Sequence, residues 1–126
     1  MIEDSLYARL YAAATGSPVT LDCTAIYPVQ AQQGVIPPYL VYSVIAKETT
    51  WGIRGSAGLT NTRVLVEAWS PIYREAKRLL TQVKEAMAPE GDDFKVAAVE
   101  FMDDFYDDEV RRYAAAATFS LWHDED

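Results

Sequence analysis

The sequence changes from one periodicity to another within two residues, at Ser70-Pro71. Before Ser70, smaller residues alternate with larger or charged ones, which is typical of a half-buried strand. After Pro71, apolar residues recur at helical spacing, with basic residues mostly on the other side. Because Ser70 is a suitable N-cap and Pro71 suits the first helical position, a strand is predicted to run directly into a helix. The residues that define the two patterns are Thr62, Val64, Val66 and Ala68 for the strand, and Ile72, Ala76, Leu79, Leu80, Val83 and Met87 for the helix.

The composition indicates one soluble, folded unit. A chain of 126 residues is normally one domain, so residues 1–126 are predicted to fold together. Half of the residues are hydrophobic, which is too many for a disordered chain. No apolar run approaches the roughly 20 residues that cross a bilayer, so no membrane partner is expected. The acidic start argues against a secretory signal, and the single Cys23 predicts a protein without an internal disulfide, made in a reducing cytosol.

Negative charge is concentrated in one part of the chain. The net charge is -8, and the segment from Glu90 to Glu109 holds nine acids against one base, Lys95. Gripping nucleic acid through its phosphates requires clustered Lys and Arg, so specific DNA binding is not expected. The acidic segment is either a solvated face or a surface past which DNA slides without binding.

The remaining patterns predict an α+β fold in the order α-β-β-β-α-β-β. The expected architecture is a mostly antiparallel sheet with two helices packed on one face. Alanine favours helix, but the alternation through Ala114 to Ala117 and the flanking Tyr, Thr and Phe favour a strand there. The other predicted elements are a helix from Ile2 to about Ala14, a short edge strand at Ala25–Pro28, a central strand at Tyr39–Glu48, and a final antiparallel pair at Lys95–Asp107 and Arg111–Trp122.

The segment from Thr49 to Thr60 contains three glycines and is predicted to be a loop that projects as an arm. Trp51 and Ile53 are large apolar residues near its tip, and such residues usually have a partner surface that buries them. The alternative is that the arm folds back onto its own sheet. A subunit or partner interface is therefore expected at Trp51, Ile53, Arg54 and Leu59.

The sequence contains little that indicates catalysis. His123 lies at the charged C-terminus and is interpreted as a surface residue. Cys23 lacks a local partner and is interpreted as a part-buried structural thiol. The acids around Phe105 are the one candidate for a hard cation, but they lack the glycine turn and terminal Glu of an EF-hand loop. No catalytic residue, cofactor or functional metal is predicted, and Asp107-Asp108 is expected to form a hairpin turn.

Several short motifs, taken in order, resemble one known family, and the resemblance runs nearly from end to end. The chain is similar to the small tail-completion, or tail-terminator, proteins of long-tailed phages, prophages and gene transfer agents. The motifs are the acidic helix Met1–Leu10, Ile26-Tyr27-Pro28, Pro37-Pro-Tyr-Leu-Val-Tyr42, Gly55-Ser-Ala-Gly-Leu59, Thr62-Arg-Val-Leu-Val-Glu-Ala-Trp69-Ser70, Tyr73-Arg-Glu-Ala-Lys77, and Tyr106-Asp107 before Arg111-Arg112 and a closing strand that ends at Trp122.

The resemblance implies a structural role in a virion. Such proteins form a ring, typically a hexamer, that caps the head-proximal end of the tail tube and joins the tail to the head connector. The implied partners are further copies of the chain, the tail tube protein and a connector or neck protein, and the implied location is the head–tail junction after assembly in the host cytoplasm. DNA would pass through the ring without specific binding. An acidic strip lining that channel is expected at Asp103, Asp104, Asp107 and Asp108.

Three alternatives stay open at the level of sequence. The first is another neck or tail-tube component, since these also form rings. The second is a metal-dependent hydrolase that uses the acids from Asp103 to Asp108. The third is an acidic binding module that mimics DNA.

Overall fold

A computed structural model describes residues 2–16, 21–23, 25–29, 37–52, 55–89, 91 and 94–124, with side chains described outside 49–52 and 55–59. The predicted order of elements is confirmed, with one short strand added before the last one. Among the described residues, no helix is long and apolar enough to span a membrane. The elements are α1 (Ile2–Thr15), β1 (Ala25–Pro28), β2 (Tyr39–Gly52), β3 (Gly55–Ser70), α2 (Tyr73–Met87), β4 (Lys95–Phe101), β5 (Phe105–Asp107) and β6 (Arg112–Asp124).

The described strands form one mixed sheet in the order β1-β2-β3-β6-β4, and β5 pairs with β6 beside β4. The contact between β1 and β2 is parallel, and the other pairs are antiparallel. The prediction of a short edge strand at Ala25–Pro28 is confirmed. The alanines of β6 are also strand, because β3 pairs with all four of them and β4 and β5 pair with Ala117 and Ala114 on the other side, and this pairing overrides helix propensity.

Both helices pack on one face of the sheet, which we call the helix face. The buried stripe of α1 is Ile2, Leu6 and Leu10, as its i, i+4 spacing predicts. These side chains join the buried residues of α2 and of alternate positions along β3 and β6 in a single core cluster. Arg9 of α1 donates to the carbonyl oxygens of Met87 (3.0 Å) and Pro89 (2.8 Å), and so satisfies carbonyls at the C-terminal end of α2.

The passage from β3 to α2 differs slightly from the prediction. The helix begins at Tyr73 with Ile72 in the N-cap position, two residues later than expected, and no side chain caps it from there. Ser70 still fulfils the predicted task, since its Oγ accepts the backbone N–H of Ile72 at 3.1 Å and donates to Glu75 Oε1 at 3.0 Å. The serine therefore bridges the strand end and the first helical turn.

The prediction of a central strand at Tyr39–Glu48 is right only for the first four residues. Tyr39 to Tyr42 lie between β1 and β3 and are buried. Beyond Tyr42, no described strand pairs with the outer edge of β2, and Val44 and Ile45 are exposed. An apolar run on both faces indicates burial but does not show how far a neighbouring strand extends.

The prediction of a long loop from Thr49 to Thr60 is wrong. β2 continues to Gly52 and β3 begins at Gly55, with Trp51 paired to Ser56 and Gly52 paired to Gly55. The last described pair between β3 and β6 is Leu59 with Asp124. We call the two-stranded part beyond it, residues 50–52 and 55–58, the ribbon. Four strand residues reach about 13 Å, so the ribbon extends past the rest of the sheet.

The predicted strand Lys95–Asp107 is two strands, because it is interrupted at Met102 to Asp104. Asp104 turns toward α2, where it accepts hydrogen bonds from Tyr73 Oη (2.7 Å) and Lys77 Nζ (3.2 Å). The interruption between β4 and β5 therefore places a carboxylate where the tyrosine and the lysine of α2 both bind it. The predicted hairpin turn after Asp107 is confirmed, since its Oδ1 accepts the backbone N–H of Glu109 at 2.9 Å.

Candidate functional site

Of the four residues expected at an interface, Trp51 lies in the ribbon and Leu59 lies directly beside it. Ile53 and Arg54 lie outside the described residues. Trp51 and Leu59 have described backbone positions, in β2 and β3, but not described side chains. Their role at a subunit or partner interface therefore stays a prediction, now attached to a strand pair rather than to a loop.

The four acids expected along a channel do not converge. Asp103 and Asp108 are exposed, Asp104 is bound to α2, and Asp107 binds the backbone of the turn that follows it. The hydrogen bond that Tyr73 donates to Asp104 raises the pKa of this tyrosine. Among the residues that the structure describes, no three His, Cys, Asp or Glu side chains form a group that could hold a metal ion. The carboxylates thus have separate tasks, and two of them are occupied within the fold.

The interpretation of His123 as a surface residue is wrong. Its side chain is only 5% exposed. Nε2 lies 2.6 Å from Thr62 Oγ1, and Nδ1 lies 2.7 Å from the carbonyl oxygen of Asp124. A carbonyl oxygen only accepts, so Nδ1 donates to it, and Nε2 shares a hydrogen bond with the threonine hydroxyl. Position 123 lies on the same side of β6 as Phe119 and Leu121, which are buried. This period-two spacing was the signal available in the sequence.

Cys23 is part-buried, as predicted, and packs against the core cluster. It lines a groove of about 310 Å³ between α1 and β1, together with the stacked rings of Tyr7 and Tyr11. Burial raises the pKa of the Cys23 thiol to about 11, with a smaller contribution from Asp22. Since the thiolate is the reactive form, this cysteine is a weak nucleophile at neutral pH.

The face of the sheet opposite the helices carries a row of four aromatic rings, which we call the aromatic row. Tyr27 meets Tyr39 edge-to-face at 6.4 Å, Tyr39 stacks on Trp69 at 6.2 Å, and Trp69 meets Phe105 edge-to-face at 5.3 Å. The rings come from β1, β2, β3 and β5, so the row crosses most of the sheet. We call this surface the open face, because both described helices pack on the other side.

Ala114 explains how the last two rings of the aromatic row meet. Trp69 and Phe105 are both cross-strand partners of Ala114, on β3 and β5 respectively. The alanine methyl lies between them and is 1% exposed. A larger side chain on β6 would separate the rings, so the small residue at this position permits the contact across the strand.

A pocket of about 210 Å³ lies beside the aromatic row, and we call it the Glu67 pocket. Tyr39 and Trp69 form its aromatic wall, while Glu67 and Asp107 place two carboxylates on its lining. Glu67 is cross-strand partner to Val41 and to Ala116, so its carboxylate stands in a largely apolar setting. Burial there raises the pKa of Glu67. Within the described part of the chain, no hydrogen bond or ion pair to Glu67 is found.

Arg112 places a cation against the aromatic row. Its guanidinium lies 5.4 Å from the centre of the Tyr39 ring, and Nη1 donates to Tyr39 Oη at 3.2 Å. Sequence reasoning missed both the row and the pocket. The available signal was the position of Tyr39, Trp69 and Phe105 within their strands, since all three belong to the side opposite the buried alternating residues. Contact between the three rings, however, depends on the order of the strands in the sheet.

Comparisons with known proteins support the fold. No protein-family model matches the sequence, and no curated protein matches it. Among solved structures, the chain is similar to one from the virion of a native gene transfer agent particle, with a TM-score of 0.62 and 13% identical residues. The similarity covers 95% of this chain and 92% of that chain. At this identity, the match shows that nearly the whole of both chains shares one fold.

Proposed function

We propose that this protein is a structural, non-enzymatic component of a phage-like particle, and specifically a tail-completion protein. In this role it forms a ring at the head-proximal end of the tail tube and joins the tail to the head connector. The observation that carries the proposal is the end-to-end likeness in fold to a chain of a gene transfer agent virion. The ordered sequence motifs, from the acidic N-terminal helix to the strand ending at Trp122, support the same assignment.

The surfaces of the molecule suit an assembly in which each copy touches others through unlike patches. The ribbon extends past the sheet, the edge of β2 is open after Tyr42, and the open face carries an aromatic row. A ring requires that one patch of a subunit meets a different patch of the next one. We therefore keep Trp51, Ile53, Arg54 and Leu59 as the proposed interface residues of the ribbon.

The proposed partners are further copies of the chain in a hexameric ring, the tail tube protein and a connector or neck protein. The proposed location is the head–tail junction of a virion assembled in the host cytoplasm. DNA would pass through the ring without specific binding, because an acidic lining repels the phosphate backbone. Asp103 and Asp108 are the best candidates for such a lining, since Asp104 and Asp107 are engaged within the fold.

The decisive experiment is deletion of the gene in the parent phage, prophage or gene transfer agent, followed by electron microscopy of the particles. We expect tails of irregular length that are not attached to heads, with recovery when the gene is supplied in trans. Tails of normal length on intact heads would overturn the proposal. Labelling the protein in wild-type particles distinguishes a tail-completion protein from a tail-tube component. A tube component would be found along the tail and not only at its head-proximal end.

A further inference from the structure

The exposed side of α2 carries two guanidinium groups on the side of the molecule opposite the open face. Arg74 and Arg78 are spaced i, i+4 and are both exposed. Two like charges at this spacing repel each other on a helix surface. Within the described residues no ion pair or hydrogen bond engages either of them, whereas Lys77 between them is bound to Asp104. The solvent-facing side of α2 therefore presents a pair of positive charges.

The Glu67 pocket presents the complementary chemistry on the open face. It offers a carboxylate without a described partner, a second carboxylate from Asp107, and the stacked rings of Tyr39 and Trp69. A guanidinium group forms planar, charge-assisted hydrogen bonds with carboxylates and also stacks on aromatic rings. Arg112 already stacks on Tyr39 in this way within the chain. The pocket thus has the two kinds of group that an arginine side chain needs.

We propose that the Glu67 pocket of one copy receives the Arg74–Arg78 pair of the next copy, so that the solvent-facing side of α2 in each subunit packs on the open face of its neighbour. The two patches differ, and a contact between unlike patches closes into a ring of identical subunits when the rotation from one copy to the next closes. The occupant is argued from charge complementarity, since the free carboxylate and the free guanidinium groups both belong to this chain. The inference rests on the proposed function only in assuming that copies of the chain assemble in a ring.

The test uses purified protein and two charge reversals, Glu67→Lys and the double change Arg74→Glu with Arg78→Glu. Sedimentation velocity at low salt measures self-association of the wild-type chain, of each variant, and of an equal mixture of the two variants. Each variant alone is expected to associate about tenfold or more weakly than the wild-type chain, because like charges then meet at the contact. The equal mixture is expected to regain association, since each variant restores complementary charges with the other but not with itself.

Two control variants lie outside the proposed contact. Glu100→Gln changes a carboxylate elsewhere on the open face, and Lys84→Gln removes a charge from another part of α2. Both are expected to associate as the wild-type chain does. Glu67→Gln is a further variant that retains the shape of the side chain, and thermal unfolding checks that every variant is folded.

The outcomes separate this inference from the proposed function. A mixture that does not associate better than its two components overturns the contact, as does a wild-type chain that stays monomeric. If the charge-reversal variants still cap tails normally in complementation, the contact is wrong while the tail function stands. If the mixture regains association but deletion of the gene leaves tails unaffected, the contact stands and the tail function is wrong.

Discussion

At the scale of single residues, packing and strand propensity make opposite demands on Ala114: packing requires a small side chain, whereas strand propensity favours a larger, β-branched one. Ala114→Val adds a β-branched residue to a strand, which propensity alone favours. We expect it instead to destabilise the protein by about 1–3 kcal/mol, because the added methyl groups enter the contact between Trp69 and Phe105. Urea unfolding followed by tryptophan fluorescence measures the difference.

The matched control for this prediction is Ala98→Val. Ala98 lies on β4, on the same face, and is exposed. A neutral or slightly stabilising effect is expected there, since nothing is displaced. Equal effects at the two positions would show that the packing account of Ala114 is wrong.

Cys23 provides a prediction about pH. Burial raises the pKa of the thiol to about 11, and only the thiolate reacts with iodoacetamide. The rate of alkylation should therefore rise about tenfold per pH unit from pH 7 to 10 without a plateau. The rate at pH 8 should be roughly 100-fold lower than in the unfolded chain. Mass spectrometry of timed samples gives both rates, and a plateau below pH 9 would contradict the assignment.

The same shift has a consequence for stability. The folded state holds the thiol proton more tightly than the unfolded state, so this contribution to stability is present at neutral pH. It is lost as the pH rises from the ordinary value of 9.0 toward about 11. Cys23→Ala should therefore reduce the loss of folding stability between pH 9 and 11.

At the scale of elements, Ser70 connects β3 to α2 by two hydrogen bonds. Ser70→Ala leaves the N–H of Ile72 without its acceptor and Glu75 without its donor. We expect a loss of about 1 kcal/mol in the free energy of unfolding. Thr81→Ala is the control, since Thr81 donates to the carbonyl of Lys77 within the exposed side of the helix. Alanine is the better helix former there, so the control should be neutral or stabilising.

Periodicity predicted the elements whose burial is decided locally. The alternation from Thr62 to Ala68 predicted β3, because a strand buried on one side must alternate. The stripe of α2 was predicted for the corresponding reason. The strand was predicted as far as Glu48, but its open edge after Tyr42 was not. The ribbon was not predicted either, since glycines between Gly52 and Gly58 suggest a loop until the partner strand is known. The aromatic row depends on strand order, which no local pattern contains.

At the scale of the whole molecule, the ribbon is expected to be dispensable for folding and needed for assembly. Replacing residues 50–59 with Asn-Gly would join Thr49 to Thr60, which already face each other, through a two-residue turn. The melting temperature of the isolated chain should change little, because the described core cluster is built mainly from α1, α2 and the parts of the sheet outside the replaced segment. Complementation of a gene deletion, scored by tail length and head attachment, should fail.

Either of two results would contradict this expectation. Normal tails with the shortened chain would show that the replaced residues Trp51, Ile53, Arg54 and Leu59 are not the interface. Failure of the shortened chain to fold would show that the ribbon supports the sheet. Gly16→Ala, at the end of α1 and far along the chain from the ribbon, serves as an unrelated variant carried through the same assays.

The position of β6 has a consequence for biosynthesis. This strand lies between β3 and β4, so residues from Arg112 onward complete the middle of the sheet. The partners of β3 on this strand lie 43 (Ser70 with Tyr113) to 65 (Leu59 with Asp124) positions downstream, so they leave the ribosome late. We therefore expect the sheet to be completed only near the end of synthesis of this segment.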